Sequence, residues 1–126
     1  MELPPADVIK AHNAVTALVT RAFEFASRLG KAYGIHYFPM SVVALTRVGD
    51  KWGLYFHEEN NLKPLPNQRM NDKLAFLHLG VKKFFEDYLE HVKNVYKDMV
   101  QYTDEGVAEM GRLEEALGKE IPEAKK

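Results

Sequence analysis

The chain has 126 residues, with 17 Lys and Arg against 18 Asp and Glu, and 46% of its residues are apolar. This length matches one domain with a single core, and the composition is that of a globular protein. The formal net charge of −1 gives no support for a nucleic-acid partner or an anionic membrane surface. The absence of cysteine excludes disulfides, thiolate zinc sites and thiol catalysis.

The segment from Pro5 to Gly30 or Gly34 predicts a long helix. Its apolar side chains recur at helical spacing and cover an arc of about 160°. A helix that packs on a single neighbour needs a stripe of only about 100°, so we expect this helix to contact two surfaces. Pro5 suits a first helical turn, and either glycine is able to end the helix.

The next segment predicts a β-hairpin, with strands over 42–48 and 51–58 on either side of Gly49-Asp50. A glycine at the first central position permits the positive φ of a type II′ turn. This turn pairs Val48 with Lys51 and Val43 with Phe56, and alternation then defines two faces. One face holds Val43, Leu45, Trp52, Leu54 and Phe56, with Arg47 over the indole. The other holds Val42, Ala44, Thr46, Gly53, Tyr55 and His57.

The segment from Asn71 to Gly118 predicts a second long helix. Its apolar residues stay within about 60° of Val81 throughout, across Gly106 as well. One helix of this length would measure about 70 Å, against a radius of gyration of about 14 Å for a compact domain of this size. Either the helix breaks near Gly106, with Asp104 capping a third helix, or its end continues and packs on something else.

These elements predict an α+β fold in the order α-β-β-α, or α-β-β-α-α if the second helix breaks near Gly106. We expect residues 1–118 to form a single domain and residues 119–126 to form a frayed, charged tail. No apolar stretch of 18 residues occurs, so the sequence favours a soluble, cytoplasmic protein without a membrane partner.

The titratable residues offer one route to chemistry. The candidates for a ligand or metal site are His12, His57, Glu58, Asp87 and His91. Asp87 and His91 are four residues apart on one helix, but no HxxxH or HExxH spacing occurs. Because nucleophile and phosphate-binding motifs are also missing, the sequence predicts no catalytic residue and no cofactor.

A single-stranded nucleic-acid surface is a weaker alternative. Its best case is the mixture of basic and aromatic residues at Arg47, Lys51, Trp52 and Tyr55. Trp52, however, shares a strand face with apolar neighbours, which favours a buried indole. The sequence therefore disfavours nucleic acid as a partner.

The two-stranded hairpin itself argues for association. An isolated hairpin is marginally stable in water, and its open edges are able to pair with another chain. The simplest arrangement is a symmetric dimer, formed either by the hairpins or by the long amphipathic helices. The predicted interface residues are Val42, Ala44, Thr46, Gly53, Tyr55, Tyr102, Met110, Leu113 and Leu117. The sequence thus favours a non-enzymatic, homodimeric protein-interaction domain with an unidentified protein partner; the alternative is a small-ligand or metal-binding domain.

Overall fold

The computed structural model describes residues 4–39 and 42–118 and has an α+β architecture. Its elements are α1 (Pro5–Tyr33), β1 (Val43–Val48), β2 (Lys51–Glu58), β3 (Asn61–Pro64), a 3-10 turn (Leu65–Asn67), α2 (Met70–Leu79) and α3 (Val81–Leu117). The chain divides into two compact units with the boundary after Leu89, inside α3. The expectation of a single domain over residues 1–118 stays a prediction, and the predicted tail at 119–126 lies outside the described residues.

Helix α1 begins at Pro5 and ends at Tyr33, followed by Gly34 in the left-handed conformation with φ of 65°. The Gly34 N–H donates to the Gly30 carbonyl, so of the two candidate glycines Gly34 ends the helix. The broad apolar arc of α1 does contact two surfaces, as expected. Phe23 packs on the sheet, and Phe25 packs edge-on against Phe85 of α3 at 4.8 Å between ring centroids.

The hairpin has the predicted register, from Val48 opposite Lys51 to Val43 opposite Phe56. Gly49 has φ of 65°, which is the positive value that the predicted turn requires. The agreement follows from two local signals that act together. Alternation selects which residues share a face, and the two-residue turn fixes which residues are opposite each other.

The sheet has three strands rather than two, because β3 pairs antiparallel with β2. The tight connection places Glu59 at φ of 54°, the only described non-glycine residue with a positive φ. Pro64 ends β3 at the sheet edge, where a missing N–H donor is tolerated. On the other side of the hairpin, Tyr37 and Leu45 exchange two backbone hydrogen bonds of 2.8 and 3.0 Å. The chain itself therefore protects part of both edges of the hairpin, which corrects the expectation that they are open.

The C-terminal helix breaks at Gly80 and not near Gly106. Gly80 has φ of 101° and ψ of 116°, which separates α2 from α3. Helix α3 then runs through Asp104 and Gly106 to Leu117, a length of about 55 Å for 37 residues. Within the described part of the chain, none of the helices combines the length and hydrophobicity needed to cross a membrane.

The core of the first unit lies between the sheet and the three helices. Its most deeply buried side chains are Val19, Val43, Leu45, Leu54, Leu65, Phe76 and Tyr88. Phe84 joins the layers, since its ring contacts those of Tyr37 and Phe76 edge-on at 5.6 and 5.5 Å. The Tyr88 hydroxyl donates to the Ile35 carbonyl at 2.9 Å, which ties α3 to the segment after α1. Both faces of the hairpin are thereby enclosed within the chain.

Candidate interaction surface

The hairpin half of the predicted interface is buried. Ala44, Thr46 and Tyr55 expose 3% of their surface or less. The ring of Phe23 from α1 packs edge-on against Tyr55 at 5.6 Å, and it occupies the space where a side chain at Gly53 would lie. The interpretation of these four residues as a surface for a second chain is therefore wrong, because α1 already covers them. Val42 differs from them in that it is exposed.

His36 is a polar residue that no pattern in the sequence indicated. Its Nδ1 lies 2.6 Å from the hydroxyl oxygen of buried Thr46, with which it shares a hydrogen bond. Its ring also stacks on Trp52 at 4.7 Å, and the Arg47 guanidinium lies over the same indole at 6.0 Å, as predicted. The bridge between Tyr37 and Leu45 sets this position, since it places the preceding residue opposite Thr46. His36 belongs to no helix or strand, so no periodic pattern pointed to it.

The five residues proposed for a ligand or metal site do not form one. His12 is exposed on α1, and His57 and Glu58 are exposed at the end of β2. The Asp87 carboxylate accepts a hydrogen bond from Lys83 at 2.8 Å, and His91 follows one turn later on α3. Over residues 4–39 and 42–118, no three His, Asp or Glu side chains lie close enough together to hold a metal ion.

Asp87 shifts the pKa values of two neighbouring side chains, but the cavity beside it is small. The hydrogen bond to Asp87 raises the pKa of Lys83. The pKa of Tyr37 is also raised, mainly by burial and to a smaller extent by the nearby charge of Asp87. The adjacent cavity is about 110 Å³ and is lined by Tyr37, Pro39, Leu79, Lys83, Phe84 and Asp87. Small-molecule sites usually measure about 300–1,000 Å³. This depression is therefore too small for an ordinary substrate.

The largest exposed apolar surface of the second unit lies along α3. We define the apolar face of α3 as Val95, Tyr96, Met99, Tyr102, Gly106, Met110, Leu113 and Leu117. Apart from Tyr96, which borders the face, these residues lie on one side of the helix because successive members of the series 95, 99, 102, 106, 110, 113 and 117 are three or four positions apart. Tyr96 and Tyr102 are 65% and 64% exposed, and Met99, Met110, Leu113 and Leu117 are all exposed too. The predicted interface residues on α3 therefore lie on an open surface.

Charges beside this face are unevenly distributed along the helix. Residues 90–101 carry two basic and two acidic side chains, whereas residues 102–118 carry one basic and five acidic side chains. Lys97, Arg112 and Glu115 form no ion pair with any other described residue. The face therefore runs from a neutral end to an acidic end.

Comparison with known proteins gives no assignment. The chain matches no family model. No curated protein and no solved structure matches it either. Function must therefore be argued from the geometry above.

Proposed function

We propose that this chain is a non-enzymatic, homodimeric protein-interaction domain, adaptor-like or chaperone-like, that associates through the apolar face of α3. The observation that carries the proposal is the row of exposed Tyr, Met and Leu side chains along the second unit. Contiguous apolar surface of this kind marks interaction sites on proteins in water.

The helix itself supports association. Most helical stability in proteins comes from the packing of an amphipathic face rather than from intrinsic propensity. Two glycines, Gly106 and Gly111, lie inside helix α3, and each lowers helix stability by about 1 kcal/mol relative to alanine. A partner that covers the apolar face would offset this loss and remove the exposed side chains from water.

The alternative of a small-ligand or metal-binding domain has less support. Its five candidate residues do not converge, and the cavity beside Asp87 is small. The proposal includes a cytoplasmic location, which the lack of cysteine and the absence of a membrane-spanning helix in the described residues favour. The proposal also includes a protein partner, as expected of an adaptor or a chaperone.

A pair of matched substitutions tests the proposal. Met110→Glu places a charge at the centre of the apolar face, whereas Ala108→Glu places the same charge on the opposite side of the same turn. We expect Met110→Glu to weaken self-association at least tenfold in sedimentation equilibrium, and Ala108→Glu to leave it within about twofold. Equal behaviour of the two variants would contradict the proposed surface.

A further inference from the structure

We infer that a cavity between α1 and the start of α3 binds a small amphipathic anion, an apolar body that carries one carboxylate or phosphate group. Five apolar side chains and two arginines line this cavity, which has a volume of about 330 Å³. That volume falls within the usual range of about 300–1,000 Å³ for small-molecule sites, unlike the cavity beside Asp87. All of its lining residues belong to the first unit, so the inference is independent of the association proposed for the apolar face of α3.

The floor of the cavity is apolar. It is formed by Leu18, Ala22 and Phe25 of α1 together with Val81 and Phe85 of α3. The Phe25 ring contacts that of buried Phe85 edge-on, which holds the two helices together at this point. Ala22 contributes only a methyl group, so space remains between the larger side chains of Leu18 and Phe25. Leu18 and Phe25 are 42% and 39% exposed, and a ligand that covers them would remove this apolar surface from water.

Two arginines border this floor along α1. Arg21 and Arg28 are seven residues apart, so they lie on the same side of the helix, about 10.5 Å apart along its axis. The Arg28 guanidinium lies over the ring of Phe25, 5.5 Å from its centroid, which places this charge beside the apolar floor. A guanidinium offers paired N–H donors that match the oxygens of a carboxylate or a phosphate.

These two arginines have no carboxylate partner among residues 4–39 and 42–118. Glu24 lies between them along α1, but its position is further round the helix from Phe25 and it is paired with neither. Glu86, next to Phe85, lies 3.9 Å from Lys82 instead. Helix α3 begins without an acidic residue in its first turn. The positive charge beside the cavity is therefore available to a ligand.

The two parts of the cavity together select an amphipathic ligand. A purely apolar molecule would leave both guanidinium groups without an anion, and an inorganic anion would leave the apolar floor in water. An anion with an apolar body instead forms charge-assisted hydrogen bonds at one end and buries apolar surface at the other. The expected ligand is thus defined by its chemistry: one oxyanion group on a short hydrocarbon body.

Titration of the full chain with matched probes tests this inference. The probes are octanoate, octyl phosphate, octanol and acetate, each used below its critical micelle concentration in isothermal titration calorimetry. We expect the better of the two anionic amphiphiles to bind at least fivefold more tightly than octanol and at least tenfold more tightly than acetate. The tighter anion identifies the head group. Raising the ionic strength should weaken the anions but not octanol. Equal affinities for the two anions and octanol would overturn the inference.

Substitution of the arginines tests their role. Arg28→Gln is expected to weaken binding of the anionic probe at least threefold while leaving octanol within about twofold, and the Arg21→Gln, Arg28→Gln double variant should bind the anion no better than octanol. Lys31→Gln is the control, since it removes the same charge from α1 at a residue that does not line the cavity. Equal losses in Arg28→Gln and Lys31→Gln would overturn the assignment of the head-group site.

Nuclear magnetic resonance locates the bound probe. Amide shifts induced by the anionic probe are expected to concentrate at residues 18–28 and 81–85. Shifts confined to residues 95–117 would show that the probe binds the apolar face of α3, and they would overturn the inference. The mass of the wild-type chain in solution is a separate measurement, so failure of this site and failure of the proposed dimer are distinguishable.

Discussion

The two units of this chain contain similar apolar side chains, but those of the first unit form a buried core and those along α3 in the second unit are exposed. In the unit that ends at Leu89, Val, Leu, Phe and Tyr side chains from both faces of the hairpin are buried by α1 and by the helices that follow. In the unit that begins at Glu90, equally regular Tyr, Met and Leu side chains are exposed. Periodicity therefore identifies the apolar side of an element, but it does not show whether the same chain covers that side.

The sharpest contrast is expected between Phe76→Ala and Tyr102→Ala. Phe76 is fully buried against Phe84, so its truncation leaves a cavity and is expected to lower the free energy of unfolding by about 3–5 kcal/mol. Tyr102 is exposed, and its truncation is expected to change the stability of the monomer by less than about 0.5 kcal/mol. Urea unfolding at submicromolar concentration measures both. Similar losses for the two variants would contradict the difference between the units.

The buried hydroxyl of Tyr88 makes the stability of the first unit sensitive to alkaline pH. Burial, with a smaller contribution from Tyr33, raises its pKa to about 12, above the value of about 10 expected in the unfolded chain. Folding thus favours the protonated phenol, and the stability it contributes is present below pH 10 and is lost as pH rises through 12.

Tyr88→Phe isolates this contribution. At pH 9 the variant should be less stable by about 1 kcal/mol, because the hydrogen bond to Ile35 is lost. By about pH 11.5 the wild type should lose about 2 kcal/mol that the variant does not lose, so the order of stability reverses. Chemical unfolding of both proteins across this range measures the difference. A difference that stays constant with pH would contradict the burial of this hydroxyl.

Adding one methyl group should have opposite effects in the two units. At Gly53 the new Cβ would overlap the Phe23 ring, so Gly53→Ala is expected to lower stability by about 2 kcal/mol. At Gly111 nothing lies nearby, and Gly111→Ala is expected to stabilise α3 by up to about 1 kcal/mol. Thermal unfolding followed by circular dichroism reports both. Tolerance at Gly53 would mean that α1 does not pack closely on the hairpin.

The smallest effect is expected at the turn between β2 and β3. Glu59 has φ of 54°, a value that a glycine adopts without strain. Glu59→Gly is therefore expected to raise stability by about 0.5–1 kcal/mol, the typical cost of such strain less the added freedom of the unfolded chain. Asn60→Gly, one residue later in the same turn, serves as the control and should not stabilise. Destabilisation by Glu59→Gly would contradict the turn geometry.

The parts of the fold that local rules determine were predictable. The hairpin register follows from alternation and Gly49, and the helical phase of α3 follows from a regular apolar pattern. The break at Gly80 was missed because the apolar phase continues from Leu77 through Val81. Strand β3 was missed because it is four residues long and ends in proline, too short to show a period.

The predicted interface residues also differ in whether local sequence rules are enough to place them. The hairpin pattern alone predicts an exposed face, because it contains no information about α1. The residues of that face are Ala44, Thr46, Gly53 and Tyr55. Only the tertiary contact with Phe23 shows that α1 covers them. Tyr102 and Met110 needed no tertiary information, since the helical period alone places them on one side of α3.

The most direct test of self-association through α3 is the mass of the wild-type chain in solution. Size-exclusion chromatography with light scattering at micromolar concentration should give twice the 14.4 kDa of one chain, falling toward one chain on dilution. A mass of 14.4 kDa at every concentration would show that the apolar face of α3 is not covered by a second copy, and would contradict the account.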